Sequence, residues 1–400
     1  MLKTVSQFKD SVAALLSGMD LSNVDNLNGA LERAARVLVQ KADIPEASGV
    51  QNIVLYSGVF DYLCDSRIFG TAITDIRPQG VSRVPSDFVY KRPGEQFDRT
   101  KGWFPSGTMA TFEYVNGVPV IRIKSTIPPQ EVVLDQMNAT TGWTAAGSAS
   151  ALAQDTAVYY QTPASLRFLL TGSSTGTLTK TLTNPLDLSS YENVGVAFLA
   201  IRIPDGSTAS SLTSIDLRLG SDGSNYDSVS ETEGFLGAWV AGDWLLVAFD
   251  FAGATSTGTP NWAALDYIQI RLAHTSTFTN FRVGGLFICQ PSPAQILYQS
   301  AAIFLADSST TALTTITANT DSIILNDPAF TLYEYEGALS VLQQTGGGAG
   351  DSMTARLKEE LDGNGSTTFG LYGKFRGDNP SQELRQVGNY YEDGGDYGSR

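Results

Sequence analysis

The stretch VGVAFLAIRI, residues 194–203, is apolar at almost every position, which is typical of a strand buried on both faces of a sheet. Turns rich in Gly, Ser, Thr, Asn and Asp separate it from other apolar runs of strand length: SLRFLL 165–170, SIDLRL 214–219, WLLVAFDF 244–251, YIQIRLA 267–273 and FRVGGLFI 281–288. This pattern predicts an all-β domain over residues 131–292, with 194–203 as a central strand. A segment of this size fits a two-sheet jelly roll.

Both ends of the chain are predicted to be helical. Near the N-terminus, apolar residues recur at helical spacing over residues 5–16 and again over 27–38, where Asp25 or Asn26 is placed to cap the second helix. Four strand-like runs follow these helices: NIVLY 52–56, TAITDI 71–76, ATFEYV 110–115 and VPVIRIK 118–124. The dipeptide Asn116-Gly117 between the last two runs is a strong hairpin signal.

The C-terminal part of the sequence also contains residues that typically begin a helix. Asn326 or Asp327 is placed to cap a helix, and Pro328 suits its first position, because proline lacks the N–H that a first turn leaves without a partner. A second, shorter helix is predicted over residues 351–361, with an apolar face at spacings of four residues.

The sequence therefore predicts a mainly β protein with helical termini, in which a jelly-roll β-sandwich is inserted between N- and C-terminal α+β segments. The predicted segments are 1–130, 131–292 and 293–400. Since inserted domains attach where chain ends lie close together, we expect the first and last segments to pack together. The stretches 79–108 and 377–400, rich in Gly and charged residues, are predicted to be extended segments that dock onto partners.

The charge balance excludes some classes of partner. The chain has 400 residues and a net charge of −15, with 26 Lys and Arg against 41 Asp and Glu. Because affinity for phosphate backbones comes from Lys and Arg, the composition argues against nucleic-acid recognition, and equally against binding to an anionic membrane surface. The start lacks an apolar core typical of a signal peptide, and no apolar run is long enough to span a bilayer. We expect a protein made in the cytosol.

No residue pattern nominates a catalytic centre. A nucleophilic triad needs a base, and the one histidine, His274, ends a predicted strand with no GxSxG elbow around any serine. A glycosidase needs two carboxylates facing a cleft, but Asp216 lies beside Arg218 on the polar side of SIDLRL, as in a solvated ion pair. Cys64 and Cys289 lie in apolar settings and are expected to be buried free thiols. We expect a non-enzymatic protein without a cofactor.

One loop offers a possible structural calcium site. The sequence GSDGSNYDS at residues 220–228 brings Asp222, Asn225 and Asp227 close together, and hard oxygen ligands at short spacing can hold Ca²⁺. The bidentate glutamate of an EF-hand is missing at the required distance. An ordinary polar turn is therefore the favoured interpretation, and a structural calcium site is the alternative.

Two tryptophans allow two interpretations each. Trp143 lies beside a turn and Trp262 falls within the β segment, where indoles commonly close the end of a sandwich core. Exposed on a sheet face, the same rings would form a platform that stacks on sugar rings. Core packing is the favoured interpretation of both residues, and Trp143 and Trp262 are the candidate glycan-binding residues under the alternative.

The β segment resembles the jelly rolls of carbohydrate-binding modules. In these modules, an Asp and a turn that contains Trp come first. They are followed by a strand with the pattern Ser-Leu-x-Phe, where x is any residue, and by the pattern Asp-Leu-Ser-x-Tyr at the start of the next strand. A later strand begins with Trp and ends in Phe-Asp-Phe. The matching positions are Asp135, Trp143, 165–168, 187–191 and 244–251. The resemblance covers about two fifths of the chain. It implies the fold more than the ligand, since many such domains are purely structural.

The remaining segments resemble virion proteins of tailed bacteriophages. NVDNLNGALERAARVLVQKADIPE at 23–46 is similar to their opening, and residues 59–80 and 322–344 are similar to the segments that flank their jelly roll. The helical ends also resemble, in helix placement, the small adaptor proteins that ring the portal. The resemblance implies a position in the neck or connector and carries over no catalytic residue.

Three hypotheses about function follow. The first is a structural subunit of a tailed-phage virion (neck, connector, collar or tail) that forms a homo-oligomeric ring, contacts portal, tail or neck proteins, and projects the jelly roll outward. The alternative is a receptor- or glycan-binding attachment protein of the tail, whose partner is a host surface glycan. The third is a polysaccharide-degrading enzyme. The first two are non-enzymatic and place the chain in the virion.

Overall fold

The computed structural model describes residues 2–17, 19–42, 44–64, 72–79, 89–90, 109–124, 131–306, 309, 312–345, 352–363 and 370–378. The fold is mainly β with helices near both ends, which confirms the predicted fold class. The chain divides into two compact units: unit 1 comprises Met1–Asn52, Cys64–Arg77 and Gln295–Arg400, and unit 2 comprises Ile53–Leu63 and Pro78–Ala294. Most of the predicted docking stretches 79–108 and 377–400 lies outside the described residues.

The α-helices among the described residues all belong to unit 1: α1 (Val5–Leu15), α2 (Leu27–Lys41), α3 (Asp327–Gln344), α4 (Ser352–Asp362) and α5 (Leu371–Asp378). Their starts follow side-chain capping. Thr4 opens a capping box at α1, and Asn26 and Asn326 each accept a hydrogen bond from the backbone amide three residues on. Each cap satisfies an N–H that helix geometry leaves without an intrahelical partner, so the caps expected from the sequence set the helix starts.

The strands before the sandwich are β1 (Lys3–Thr4), β2 (Ser48–Leu55), β3 (Asp61–Leu63), β4 (Ala72–Pro78), β5 (Val89–Tyr90), β6 (Met109–Val115) and β7 (Val118–Lys124). The sandwich strands are β8 (Val132–Asp135), β9 (Trp143–Gly147), β10 (Ala149–Asp155), β11 (Ser165–Leu170), β12 (Ser174–Leu186), β13 (Val196–Arg202), β14 (Leu212–Asp222), β15 (Asn225–Glu231), β16 (Trp244–Asp250), β17 (Thr255–Thr257), β18 (Leu265–His274) and β19 (Phe278–Cys289). After it come β20 (Ser292–Gln299), β21 (Phe304–Leu305), β22 (Ala312–Leu313) and β23 (Ser322–Ile323).

Unit 1 has a core to which both ends of the chain contribute. The ring of Phe8 in α1 stacks on that of Tyr333 in α3, with centroids 4.1 Å apart, and the Tyr333 hydroxyl donates to the Leu31 carbonyl of α2 at 3.0 Å. Gly337 permits the close approach of α3 to α1, since a Cβ there would lie 2.9 Å from the Phe8 ring. Strands β1, β23, β21 and β22 form a small sheet in the same unit.

Unit 2 contains the β-sandwich. Its front sheet has the strand order β17-β15-β14-β18-β12-β9, and its back sheet has the order β10-β11-β19-β13-β16, with β8 also paired to β19. The pairings within both sheets are antiparallel, and the chain passes repeatedly from one sheet to the other, as in a jelly roll. Apolar side chains from the inner faces of both sheets form one continuous core.

The strand β13 is central, as its composition predicts. It pairs with β19 on one side and β16 on the other, and all residues from Val196 to Ile201 are buried. Its inward side chains join the sandwich core. Its outward Phe198 is covered by Tyr56 and Phe235, whose ring centroids lie 5.1 and 5.5 Å away. A strand covered on both faces needs apolar residues at successive positions.

Unit 2 extends beyond the predicted segment 131–292. It also includes β3, β6 and β7, which pair with β5 in the order β3-β7-β6-β5. Asn116 and Gly117 form the two-residue turn between β6 and β7, with φ values of +53° and +78°. This is the hairpin that the dipeptide predicts, because a two-residue turn of matching twist requires positive φ at both positions.

Candidate functional site

The outward surface of the front sheet carries polar and aromatic side chains where strands β15, β14 and β18 run side by side. In the register, Arg218 is opposite Gln269 and Asp216 is opposite Arg271. We call this surface the tyrosine face and define it by Asp216, Arg218, Tyr226, Tyr267, Gln269 and Arg271. Each of these residues is partly exposed, whereas the alternating residues of the same strands point into the core.

Tyr226 and Tyr267 come together across the strand that separates them. Both are paired with Gly220 of β14, one from each side, and their ring centroids lie 6.4 Å apart at an interplanar angle of 32°. A Cβ at Gly220 would lie 2.1 Å from the Asn225 carbonyl oxygen and 2.8 Å from the Tyr226 Cβ. The missing side chain therefore permits the close approach that lets the two rings form one aromatic surface.

A row of hydrogen bonds crosses the sheet beside these rings. The Arg218 guanidinium donates to the Gln269 side-chain oxygen at 3.1 Å, and the Gln269 amide donates to the Thr179 hydroxyl at 3.0 Å. The same guanidinium lies 4.4 Å from the centre of the Tyr226 ring, within range of a cation–π interaction. These contacts fix the side chains in place before any ligand binds.

Asp216 is held by two donors in the adjacent row. Arg271 donates to one carboxylate oxygen at 3.2 Å, and the Ser230 hydroxyl donates to the other at 2.6 Å. The side chains of Asp216 and Arg271 are 23% and 33% exposed, so the pair can still be reached from solvent. An ion pair beside an aromatic surface offers both an acceptor and a donor to a polar ligand.

The hydroxyl of Tyr267 stays neutral over the physiological range. Its partial burial raises the pKa above the ordinary value, Arg218 acts in the opposite direction, and Tyr226 and Asp222 raise it further. A neutral phenol can both donate and accept a hydrogen bond.

The structure places Trp143 and Trp262 in the sandwich core rather than on a surface. Trp143 is 5% exposed and Trp262 is 3% exposed. The Trp262 indole N–H donates to the buried Asp227 carboxylate at 2.6 Å, and the Lys180 ammonium lies 5.7 Å from the Trp143 ring centre. Neither ring has a free face on which a sugar could stack, so the core interpretation replaces the glycan-binding one at these two positions.

The oxygen-rich loop at 220–228 does not converge on one point. The Asp222 carboxylate accepts from the Ser224 amide and from the Asn225 side chain, whereas Asp227 faces the core and accepts from Ser256 and Trp262. Among the residues that the structure describes, no group of three or more His, Cys, Asp or Glu side chains could hold a metal ion. The loop has the hydrogen bonding of an ordinary polar turn.

His274 is buried at the end of β18, 3% exposed. One ring nitrogen lies 2.6 Å from the Ser148 hydroxyl and the other 2.8 Å from the Ser276 carbonyl oxygen. Both nitrogens thus have partners, which is the usual condition of a structural histidine in a core. Cys64 is half-buried and Cys289 buried, and both are free thiols. Within the described ranges, no helix is long and apolar enough to span a membrane.

The sequence places Asp216 and Arg218 on one polar face, as the structure does, but the ion pair expected between them is replaced by the pair of Asp216 with Arg271, while Arg218 donates to Gln269. The tyrosines beside them are not predicted. The signal was present in the run YIQIRLA, where Tyr267, Gln269 and Arg271 alternate with apolar residues. Strict alternation assigns these three side chains to one outward face. The sequence around Tyr226 predicts only a polar turn, because Tyr267, its neighbour across the sheet, is distant in the sequence.

No family model matches the chain, and no curated protein matches it either. Among solved structures, it is similar to a family 30 carbohydrate-binding module, at 14% identity over 40% of this chain and 99% of that one, with a TM-score of 0.32. It is also similar to a family 11 module from Clostridium thermocellum in complex with a mixed-linked tetrasaccharide, at 13% identity over 42% of this chain and 94% of that one, with a TM-score of 0.27.

A third similar structure is an arabinose-bound GH51 α-L-arabinofuranosidase, at 12% identity and a TM-score of 0.30. The match covers 40% of this chain but only 26% of the arabinofuranosidase. Each of these likenesses is confined to about two fifths of the chain. The description of the fold therefore rests on the strand pairing and the core of unit 2.

Proposed function

We propose that unit 2 is a carbohydrate-binding unit and that the tyrosine face holds a polysaccharide chain. The observation that carries the proposal is the pair Tyr226 and Tyr267, joined into one partly exposed aromatic surface and bordered by fixed hydrogen-bonding side chains. Ligand sites typically combine aromatic contact area with a few placed polar groups.

The chemistry of a sugar fits both parts of this surface. One face of a pyranose ring consists of C–H groups that pack on an aromatic ring, and its edge carries hydroxyls that donate and accept. Asp216 accepts hydrogen bonds, Arg218 and Arg271 donate them, and Gln269 does both. The charges of Asp216 and Arg271 are paired with each other, whereas Arg218 is bound to the neutral Gln269 and keeps its positive charge beside the aromatic rings.

The width of the sheet suggests a chain rather than a single ring. Strands lie roughly 4.8 Å apart, so the six strands of the front sheet span about 24 Å across the strand direction. The outward rows of threonine and serine on β17, β15, β12 and β9 continue the polar surface on both sides of the tyrosines. Several sugar units laid across the strands would stay in contact with it.

The test is retention on soluble polysaccharides in native affinity gels, with a panel that includes mixed-linked β-glucan, xylan and a bacterial surface polysaccharide. Replacing Tyr226 or Tyr267 by Ala should reduce affinity roughly 5- to 150-fold, taking as the scale the roughly 1–3 kcal/mol of a base stacked on an aromatic side chain. Tyr159→Ala is the matched control, because Tyr159 is 40% exposed and lies outside the face. A chain that no panel member retards, or a double variant that is retained like the wild type, would refute the proposal.

We also infer, from the resemblance of 23–46, 59–80 and 322–344 to tailed-phage virion proteins, that the chain is a non-enzymatic structural subunit of such a virion that assembles with copies of itself. Native mass spectrometry of the purified chain tests this. A closed oligomer is the expected result, and a monomer at all concentrations, alone and with head–tail junction proteins, would count against it.

The tyrosine face offers a reason to propose binding rather than hydrolysis. Asp216 is the one carboxylate among its defining residues, and it is engaged by Arg271 and Ser230. Glycoside hydrolysis ordinarily needs two carboxylates facing each other across the scissile bond. We therefore expect no release of reducing sugar from any polysaccharide that the face binds.

A further inference from the structure

A second concave site lies on the outward surface of the back sheet, away from the tyrosine face. It is a cleft of about 360 Å³ within unit 2. This volume is at the small end of the range of roughly 300–1,000 Å³ that is typical of ligand pockets. The side chains that matter for binding are Phe60, Asp61, Arg122, Tyr160, Phe235 and Trp244. We call it the back cleft.

Its walls come from four separate parts of unit 2, one of which is the segment between β10 and β11 that carries Tyr160. The strands β3 and β7 supply Asp61 and Arg122, β16 supplies Trp244, and the loop 234–240 closes one side. That loop is fixed by backbone hydrogen bonds: Phe235 donates to the Leu246 carbonyl at 2.8 Å, and Gly234 and Gly237 donate to each other's carbonyls at 2.7 and 3.0 Å. The cleft is therefore largely preformed.

Two aromatic rings form a corner of the cleft. The rings of Tyr160 and Trp244 have centroids 5.7 Å apart and an interplanar angle of 57°. Gly284 of β19 lies beneath both, and a Cβ there would lie 3.1 Å from the Tyr160 Cβ and 3.2 Å from the indole ring. Glycine at this position makes room for both aromatic side chains over the sheet.

A buried ion pair lines the same space. Arg122 binds Asp61 in a bidentate manner, with contacts of 2.5 and 3.0 Å, and also contacts Glu113. The side chains of Arg122 and Asp61 are only 15% and 18% exposed. Burial lowers the pKa of Arg122, but the two carboxylates outweigh this effect and raise the pKa above its ordinary value. The guanidinium is therefore permanently charged and rigidly held.

We propose that the back cleft binds one neutral, polyhydroxylated ring of monosaccharide size. Such a ring can pack a C–H face on Trp244 or Tyr160 while its hydroxyls accept from Arg122 and donate to Asp61. Asp61 and Glu113 together compensate the Arg122 charge, so an anionic ligand gains no unpaired cation here and the paired groups serve as hydrogen-bond partners for a neutral one. This site is independent of the proposed function of the tyrosine face.

The experiment is saturation-transfer NMR on the full chain with methyl glycosides of glucose, galactose, mannose and N-acetylglucosamine as probes. At least one probe should show saturable transfer and shift the indole N–H signal of Trp244, which is assigned with Trp244→Phe. Tyr160→Ala should weaken binding about tenfold or more, because it removes one ring of the corner. Tyr159→Ala, next to it but outside the cleft, should bind like the wild type.

Two further measurements keep the proposal falsifiable. The Tyr226→Ala/Tyr267→Ala double variant should still bind the monosaccharide, which separates the back cleft from the tyrosine face. Choline and its neutral isostere 3,3-dimethylbutanol report on charge preference, and neither should displace the glycoside. No saturable probe, an unchanged Trp244 signal, or tighter binding of choline than of every glycoside would overturn the proposal.

Discussion

The contribution of a buried polar side chain to stability depends on whether its polar atom has a hydrogen-bond partner. Trp262 and Trp239 are two indoles of unit 2 that differ in this respect. The Trp262 N–H donates to the buried carboxylate of Asp227, which has Ser256 as its other donor. The Trp239 N–H is buried and, among the described residues, has no hydrogen-bond partner. Since removing one member of a buried pair leaves the other unsatisfied, the two positions should respond differently to the loss of the N–H.

Trp262→Phe should destabilise unit 2 by about 1–3 kcal/mol, because it leaves the Asp227 carboxylate with one donor fewer in the core. Trp239→Phe is the control and should be close to neutral, since no hydrogen bond is lost. Urea unfolding followed by circular dichroism measures both. Trp262→Phe should also leave polysaccharide retention unchanged, and a selective loss of retention with intact stability would restore Trp262 as a binding residue.

Side-chain hydrogen bonds and ion pairs connect strands of the sandwich in addition to the backbone hydrogen bonds between them. Asp155, at the end of β10, accepts from the backbone amides of Ala157 and Val158 and from Arg282 of β19 at 2.9 Å. Burial raises the pKa of Asp155, but these hydrogen bonds and the Arg282 charge outweigh it and lower the pKa below the ordinary value. The ion pair between Asp155 and Arg282 thus connects the edge strand β10 with β19 at the centre of the back sheet.

This pKa shift predicts the pH dependence of stability. A carboxyl whose pKa is lowered by folding stabilises the folded state fully above its unfolded pKa of about 3.9, and this contribution is lost as the pH falls through the lowered value. Asp155→Asn should therefore be clearly less stable than the wild type near neutral pH, with the difference shrinking below about pH 4. Asp205→Asn is the control, because that side chain is 78% exposed. An equal stability gap at all pH values would contradict the assignment.

At the scale of the whole molecule, the described residues form two large hydrophobic cores that share no residue. One combines residues from both ends of the chain, and the other lies between the two sheets of the sandwich. Phe8 is fully buried in the first core, where it stacks on Tyr333 and meets Phe330 edge-on at 5.6 Å. Phe281 is equally buried in the second. Two cores of this kind allow two unfolding transitions.

Phe8→Ala should destabilise unit 1 by about 3–5 kcal/mol through the cavity it leaves, while the transition of unit 2 stays in place. Phe281→Ala should have the converse effect. Differential scanning calorimetry of the full chain, with near-ultraviolet circular dichroism to assign each transition, checks both. A single transition that both variants shift equally would show that the two cores unfold together.

The sequence by itself determined the features that depend on neighbouring residues. The caps Asn26 and Asn326, the Asn116-Gly117 turn and the apolar composition of β13 each act over a few positions, so their patterns predict helices, a hairpin and a central strand. The mainly β fold with helical ends follows from the same local signals.

Only the tertiary structure decided which distant side chains meet. Tyr226 and Tyr267 lie on different strands, and the register of β14 between them, with glycine at position 220, brings their rings together. Packing between the sheets likewise decided that Trp143 and Trp262 are buried, although their local sequences suit a surface platform equally well. Side-chain alternation assigns a residue to one face of its own strand, but strand order and sheet packing decide whether that face is a core or a binding surface.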